Sequence, residues 1–399
     1  MADSGRVAVI GGGVMGAWTA LWLARRGCAV TLLDAHGPGN SLSSSGGESR
    51  ITRSAHGHDE HYPRWQRRAL DAWRTLEAAT ATSLILPTGV IWFARSRDGF
   101  EADAAGVLER LAIPIERLSP TEVAARYPGI ATDDLAWALF EPEAGAIMAR
   151  RGVATVAEEL RRMGGEVRIG LAEAPQPAGD RLARLRLRDG TFLEADAFVV
   201  AAGPWLPALV PQVELSVTRQ EVLFFGTPPG DTRFDATRMP TWIDYDAAYY
   251  GMPSIEGRGF KLAPDAPGPL VDPDRQERVV SPSAVDDGRI FLEQRFPALA
   301  SSPLVEGRVC QYETTADEHF VIDRHPTFAN AWVVGGGSGH GFKHGPVIGE
   351  YVAALVTGDD ALAAELAAPD DRFALRPRVP GHGIRTAGQR AASASTNAG

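Results

Sequence analysis

The first thirty-four residues alternate between apolar runs and glycine turns. Arg6–Ile10 is a short run rich in β-branched residues, which is typical of a buried strand. A glycine-rich segment spans residues 11–16, residues 17–26 contain no helix breaker, Gly27 ends that segment, and Ala29–Asp34 is again apolar. The pattern predicts strand, glycine turn, helix and strand, the βαβ unit that opens a dinucleotide-binding fold.

Three glycines and one acid in this unit suit a bound dinucleotide. Gly11 permits the tight turn, Gly13 lets a pyrophosphate approach the backbone, and Gly16 lets the helix pack on the strand. Asp34 ends the second strand, where a carboxylate accepts from a ribose hydroxyl and disfavours a 2′-phosphate. The alternative is a glycine-rich turn without a ligand; the surrounding strands, helix and acid favour the dinucleotide.

Two later turns favour FAD over NAD. Residues 332–343 form a strand that runs through glycines toward a predicted helix at 346–356, and a helix start is a suitable place for negative charge on a flavin. Residues 197–205 form another strand that ends in small residues. Three separate turns suit one extended cofactor.

The middle of the chain reads as alternating strands. Residues 217–308 are rich in proline and aromatic residues, with strands predicted at 221–225, 248–251, 259–262 and 289–292, whereas 153–163 has the pattern of an amphipathic helix. We predict an α/β fold in which an FAD-binding, Rossmann-like domain (1–85, 143–214 and 310–378) is interleaved with an antiparallel β-sheet substrate domain (86–142 and 215–309). Residues 379–399 read as a disordered tail.

Composition narrows the functional classes. The 399 residues are 44% hydrophobic and 23% charged, with a formal net charge of −10, which disfavours nucleic-acid and anionic-membrane binding. The start of the chain lacks a signal-peptide pattern, and two cysteines make no disulfide framework, so we expect a cytoplasmic protein. We predict no metal site.

Six stretches together resemble a known family. They are residues 47–53 (GESRITR), 140–142 (FEP), 249–251 (YYG), 259–261 (GFK), 310–323 (CQYETTADEHFVID) and 339–343 (GHGFK). Over about residues 5–375 the chain resembles the monomeric sarcosine oxidase and N-methyl-amino-acid oxidase group, FAD-dependent amine oxidases of the D-amino-acid oxidase superfamily.

The resemblance implies roles for residues that are otherwise ordinary. Cys310 matches the cysteine that bonds covalently to the flavin 8α-methyl group, whereas Cys28 reads as a core residue. Arg50 matches a residue near the flavin ring, and Arg53 and Lys343 match the partners of the substrate carboxylate. Without the resemblance, the two arginines would be solvated residues of a Gly/Ser-rich loop.

The remaining matches concern oxygen, the substrate pocket and the second glycine turn. Lys261 matches the lysine that contacts flavin N5 through water and activates oxygen, since a fixed cation lowers the barrier to forming superoxide. Tyr250 matches a tyrosine of the pocket wall, with a packed core aromatic as the alternative. Gly339, His340 and Gly341 match the Gly-His-Gly turn at the cofactor.

Several positions depart from the family pattern. Asp265 and Gly46 stand where sarcosine oxidases typically have histidines. Trp242, Asp244 and Asp246 add bulk and charge before Tyr249. These departures disfavour N-methyl substrates of glycine size without changing the predicted cofactor or reaction class.

The function that the resemblance implies is oxidation of a secondary amine bearing a carboxylate, such as a sarcosine-like N-methyl amino acid. Hydride passes to flavin N5, an imine forms, and oxygen reoxidises the flavin and yields hydrogen peroxide. The expected partners are a small amine and oxygen, with the enzyme a monomer. A cyclic imino acid such as pipecolate or proline, a fructosyl amino acid, a flavin dehydrogenase that uses a carrier, and a non-enzymatic flavoprotein remain alternatives.

Overall fold

A computed structural model describes residues 5–176 and 179–380. The strands are β1 (Arg6–Ile10), β2 (Ala29–Asp34), β3 (Ser49–Thr52), β4 (Ile85–Leu86), β5 (Val90–Ala94), β6 (Glu116–Leu118), β7 (Trp137–Glu141), β8 (Gly145–Met148), β9 (Glu166–Ile169), β10 (Arg184–Arg186), β11 (Phe192–Glu194), β12 (Ala197–Val200), β13 (Ser216–Phe225), β14 (Thr241–Asp244), β15 (Tyr249–Met252), β16 (Phe260–Pro264), β17 (Leu304–Thr314), β18 (Val321–Arg324) and β19 (Ala331–Gly335). The helices are α1 (Val14–Arg25), α2 (His61–Thr80), α3 (Phe100–Arg110), α4 (Pro120–Arg126), α5 (Ala149–Arg162), α6 (Leu206–Leu209), α7 (Pro282–Arg295), α8 (Gly345–Thr357) and α9 (Asp360–Leu366). All but the first two residues of the predicted tail lie outside the described ranges.

A six-stranded sheet has the order β18-β19-β12-β1-β2-β9. Its strands pair in parallel except for the antiparallel edge pair β18–β19. The predicted strand–turn–helix–strand unit forms β1, α1 and β2, and α1 also packs against α8. Glycine permits the close packing in this unit, since a Cβ on Gly16 would lie 1.9 Å from the carbonyl oxygen of Gly11.

An eight-stranded sheet, β17-β13-β16-β15-β14-β5-β7-β6, is antiparallel except where β14 pairs with β5. Its two faces differ because strand residues alternate. Tyr250, Lys261 and Cys310 lie on one face. Trp242 and Leu262 lie on the other, in an apolar core covered by α7. The predicted pair of α/β and antiparallel sheets is confirmed.

The strand predicted at 289–292 is wrong, because these residues belong to α7. Ser281 caps that helix by accepting from the amide of Ala284 at 3.2 Å, and a proline follows it directly. The buried residues of α7 recur at the helical spacing of i, i+3, i+4 and i+7: Gly288, Phe291, Leu292 and Arg295. A four-residue window is too short to show that period.

A small third sheet and the 11-residue strand β17 complete the arrangement of strands. Strands β3, β8 and β4 form a three-stranded sheet, and β3 holds Arg50, which was expected in a loop. Strand β17 pairs with β13 along residues 304–314 and so continues across the predicted domain boundary at 310. Within residues 5–176 and 179–380, no helix is long and apolar enough to cross a membrane.

Candidate active site and cofactor cavity

A cavity of about 830 Å³ opens where the carboxyl ends of β1, β2, β12 and β19 meet β17. Parallel strands present their carboxyl ends at one sheet edge, which is the usual place for a dinucleotide in such folds. Of the predicted site residues, those that line it are Gly11, Gly13, Asp34, Arg50, Gly339 and Gly341. Both predicted glycine turns therefore border one cavity.

The first glycine turn fits a long dinucleotide. Gly11 has a φ of +108°, and a Cβ there would lie 2.2 Å from the carbonyl oxygen of Ala201, so no side chain is tolerated. Asp34 accepts from the amides of Gly12 at 2.7 Å and His36 at 2.8 Å, which fixes the carboxylate at the cavity wall. Its Oδ1 also accepts from the side-chain amide of Asn40 at 3.2 Å, whereas Oδ2 accepts only from Gly12 among the described residues, so Oδ2 can still accept from a ribose hydroxyl.

Arg50 and Cys310 meet beside the cavity. The Nη2 of Arg50 lies 3.4 Å from the Sγ of Cys310 and donates to the carbonyl of Ser44 at 2.7 Å. Cys310 is buried on β17, and the three residues after it line the cavity. The two residues predicted to contact the flavin thus lie together, Arg50 lining the cavity and Cys310 directly beside Arg50.

Lys261, on β16, reaches the segment that holds Arg50. Its Nζ donates to the carbonyl of Ser49 at 3.0 Å and contacts the Ser49 hydroxyl at 3.3 Å, next to Arg50. The side chain is only 2% exposed. Burial, helped by the neighbouring Arg50 guanidinium, lowers the pKa of Lys261 to about 7.

Arg53 and Lys343 form a second group, outside the residues that line the cavity. Arg53 follows β3, donates to the carbonyl of Ala55, and lies over the ring of Trp92 at 5.0 Å. The Nζ of Lys343 donates to the carbonyl of His340 at 2.9 Å. Burial lowers the pKa of Arg53 to about 10 and that of Lys343 well below its usual value, and each residue is at most 7% exposed.

These buried cations have unusual electrostatic surroundings. Among the described residues, Arg53, Lys261 and Lys343 have no carboxylate within 4.0 Å. Buried charges in proteins are generally paired, because an isolated charge is costly to remove from water. The arrangement suits an anionic group that comes with a ligand.

The lysines carry a compositional signal that sequence reasoning overlooked. Of the 40 basic residues, only Lys261 and Lys343 are lysines. Arginine therefore supplies every other cation, surface positions included. Two lysines kept at buried positions indicate a need for a compact cation with an adjustable pKa.

Tyr250 and His340 differ in their surroundings. Tyr250 is half-buried on the face that holds Lys261, and its hydroxyl lies 3.4 Å from that of Tyr312, which lines the cavity. His340 does not line the cavity. It is buried, with its Nε2 3.0 Å from the carbonyl of Glu318.

Two acids, Glu313 and Glu141, were not predicted from the sequence as candidate site residues. Glu313 lines the cavity and accepts from the hydroxyl of Ser44 at 2.7 Å, and burial raises its pKa to about 7. Glu141 accepts from the amide of Ser54 at 2.6 Å, and burial raises its pKa too. Both lie within stretches that carry the family resemblance, which was the available signal.

The expected pocket residues before Tyr249 need correction. Trp242 is fully buried on the opposite face of the sheet, stacked on Phe291 at 5.4 Å, so it cannot shape the site. Asp244 is also fully buried and pairs with Arg95 at 2.5 Å and Arg295 at 3.2 Å. Both residues stabilise the eight-stranded sheet.

Asp265 and Gly46, in contrast to Trp242 and Asp244, lie near the candidate site. Asp265 follows β16, and the two-residue repeat of the strand places it on the face of Lys261 and Tyr250. Gly46 packs so closely that a Cβ would lie 1.9 Å from the carbonyl oxygen of Asn40. No histidine fits at position 46 with this backbone.

Comparison with known proteins agrees with this geometry. Residues 6–355 match the family described as FAD dependent oxidoreductase. The chain is 30% identical over 364 residues to monomeric sarcosine oxidase from Bacillus sp. (strain B-0618), covering 88% of this chain and 91% of that one. It is 27% identical to N-methyl-L-tryptophan oxidase from Salmonella dublin, covering 88% and 94%. A modified fructosyl peptide oxidase from Aspergillus nidulans shares the fold, with a TM-score of 0.82 at 21% identity over 96% of this chain and 95% of that chain.

The chain belongs to the FAD-dependent oxidoreductase family. Its α/β fold, its family and its cofactor class, FAD, are confirmed as predicted. The glycine turns and Asp34 would hold the dinucleotide portion of FAD, and the residues around Arg50 would border the flavin.

Proposed function

We propose that this protein is an FAD-dependent oxidase of secondary amines that carry a carboxylate, such as N-methyl amino acids. The observation that carries the proposal is the buried pair Arg53 and Lys343, which has no carboxylate partner within 4.0 Å among the described residues. A substrate carboxylate would supply the missing anion. The similarity to sarcosine oxidase and N-methyltryptophan oxidase supports the amine.

Arg53 and Lys343 are held in place before a substrate binds. Trp92 and the Ala55 carbonyl fix the Arg53 guanidinium, and the His340 carbonyl fixes the Lys343 ammonium. Anchoring the carboxylate at two points restricts how the rest of the substrate lies, so its reacting carbon is oriented without further ordering. Bound FAD supplies the two-electron acceptor. Tyr250 would form part of the wall of the substrate pocket.

Lys261 is proposed to serve the oxygen step. It is a buried ammonium on the sheet face that holds Tyr250 and Cys310, held by Ser49. When Lys261 is protonated, its positive charge in a dry site would stabilise negative charge that develops on oxygen. No general base is required if the amine binds in its neutral form.

Cys310 is proposed to hold the flavin through a thioether in which its sulfur would replace one hydrogen of the 8α-methyl group, with oxygen taking up the two electrons and two hydrogens released. The Arg50 guanidinium donates to the sulfur at 3.4 Å and so holds the Cys310 side chain beside the cavity. Such a thioether bond would raise the flavin potential and favour oxidation of an unactivated amine.

Hydrogen peroxide release tests the proposal. The panel contains sarcosine, longer N-methyl amino acids, proline, pipecolate and a fructosyl amino acid, each paired with an amine that lacks the carboxylate. We expect peroxide only from carboxylated members. The Asp265 carboxylate gives a specific reason to include larger substrates with extra donors, as in the fructosyl compound.

Arg53→Gln provides the matching variant. We expect binding of a carboxylated substrate to weaken by about 2–5 kcal/mol, the cost of removing one partner of a buried charge pair. Steady-state KM and substrate Kd measure the effect. Arg117→Gln is the control, since Arg117 also lies 5.0 Å over a tryptophan but is exposed. Equal losses with the carboxylate-free amine would contradict the assignment.

We further propose that the protein is a monomer, for which light scattering should give a mass near 42.6 kDa.

A further inference from the structure

Three histidines meet in a buried cluster that the proposed oxidase chemistry does not use. His56, His340 and His344 are 2%, 4% and 0% exposed. One ring nitrogen of each lies within 4.8 Å of the others, and the ring centroids are 5.5–6.1 Å apart. The cluster joins the segment after β3 to the turn before α8.

Two of the rings have their protons positioned by backbone carbonyls. His56 Nδ1 lies 2.8 Å from the Ser54 carbonyl, and His340 Nε2 lies 3.0 Å from the Glu318 carbonyl. A carbonyl oxygen only accepts, so each of these nitrogens carries hydrogen. The other nitrogen of each neutral ring, His56 Nε2 or His340 Nδ1, therefore holds a lone pair.

These lone pairs have no protein partner. His56 Nε2, His340 Nδ1 and both nitrogens of His344 are buried and make no hydrogen bond to any described residue. Unpartnered buried nitrogens are unfavourable, and here they belong to three rings that converge. An N–H donating to a carbonyl while the opposite nitrogen stays free is the arrangement of a metal-bound histidine.

The surroundings limit what can occupy the centre. The ring of Tyr62 contacts all three histidines at 5.0–5.4 Å, and Phe320 stacks on His340 at 4.7 Å. This uncharged aromatic wall, beside three rings that each have an unpartnered nitrogen, suits a small Lewis acid better than an anion. The nearby charges of Arg53 and Lys343 weaken cation binding, and the buried Glu141 carboxylate offsets them in part.

We propose that His56, His340 and His344 form a three-histidine site for a divalent transition metal ion of the zinc class. Three neutral imidazoles suit Zn²⁺, with a fourth position left for water. The prediction of no metal site is revised accordingly. Because two ligands flank Lys343, an occupied site would also restrain the segment that carries this lysine. The proposal does not depend on the amine substrate.

The test uses tag-free, full-length holoenzyme that has been treated with a chelator. Zinc sulfate is titrated by calorimetry, and crystals soaked in zinc are measured for anomalous scattering at the zinc edge. We expect one site per chain and an anomalous peak between the three rings. His344→Phe should weaken zinc binding at least about 100-fold, since loss of even an outer-shell partner costs 10- to 100-fold.

Two controls separate this site from other histidines. His325→Phe removes a buried imidazole elsewhere, and His58→Ala removes an exposed one that lies 3.0 Å from Asp103 and could hold zinc adventitiously. Both should leave the buried site intact. Anomalous signal only at the surface, or unchanged affinity in a folded His344→Phe protein, would overturn the proposal. If that variant does not fold, the anomalous map of the parent protein and His56→Gln decide.

Discussion

Lysine and arginine have separate tasks in this protein. Arginine stays charged in almost any environment, whereas a buried lysine lowers its pKa and can lose its proton. Lys261 and Lys343, the only lysines, are both buried, whereas the surface cations are arginines. At the residue scale, both lysines of the chain thus lie at the candidate active site.

We expect Lys261 to titrate near pH 7 in the oxidised holoenzyme, because burial disfavours its charged form. The free chain titrates near 10.5. Folding therefore suppresses proton binding between about pH 7 and 10.5, so the cost of burying this charge is fully present below pH 7 and is relieved as pH rises.

Lysine labelled with ¹³C at Cε measures this directly, since the spectrum has only two such signals. Lys261→Met identifies which one belongs to Lys261. A Lys261 signal that keeps the chemical shift of a charged amine up to pH 10 would show that the cation is paired or hydrated. That result would contradict the lowered pKa.

Helix α1 depends on glycine where it crosses β1. Gly16→Ala places a Cβ 1.9 Å from the Gly11 carbonyl oxygen, so helix and turn must separate. We expect the free energy of unfolding to fall by about 1–3 kcal/mol, and FAD to be held less tightly. Chemical denaturation and flavin release measure the two effects.

Gly106→Ala is the control at the element scale, because Gly106 lies in α3 and a Cβ there meets nothing closer than 3.6 Å. Alanine should stabilise that helix by about 0.5–1 kcal/mol. If Gly16→Ala is stabilised as well, close packing at Gly16 does not limit the free energy of unfolding.

Sequence predicts elements well where a local rule decides them. The unit β1–α1–β2 and the turn before α8 follow from glycines whose packing leaves no room for a side chain. Residues 289–292 were predicted as a strand because four residues are too few to show the helical period of α7. Ser281 and the proline after it nevertheless mark the start of that helix. The place of Trp242 in the sheet depends on the pairing of β14 with β5, where it lies opposite Ile91, a long-range register that composition does not reveal. His56 and His344 meet only through tertiary packing.

At the scale of the whole molecule, β17 links the two sheets at the cofactor. It pairs with β13 in the eight-stranded sheet, while residues 311–313 line the cavity at the edge of the six-stranded sheet. A bond from Cys310 to the flavin would therefore tie the cofactor to the eight-stranded sheet as well as to the glycine turns.

We expect the flavin to stay with the protein after acid precipitation, and Cys310→Ser to release it. Absorbance of the washed pellet and supernatant measures the fraction attached. Cys28→Ser, at the only other cysteine, should change nothing. Free flavin from the parent protein would contradict a covalent bond.

The central claim is that this protein oxidises a carboxylated secondary amine and passes the electrons to oxygen. The most direct measurement mixes holoenzyme with an N-methyl amino acid without oxygen, follows the flavin absorbance, and then admits air. We predict loss of the yellow colour, its return in air, and one hydrogen peroxide per flavin. Colour that returns only with an artificial electron acceptor would contradict the oxidase, and colour that no carboxylated amine removes would contradict the substrate class.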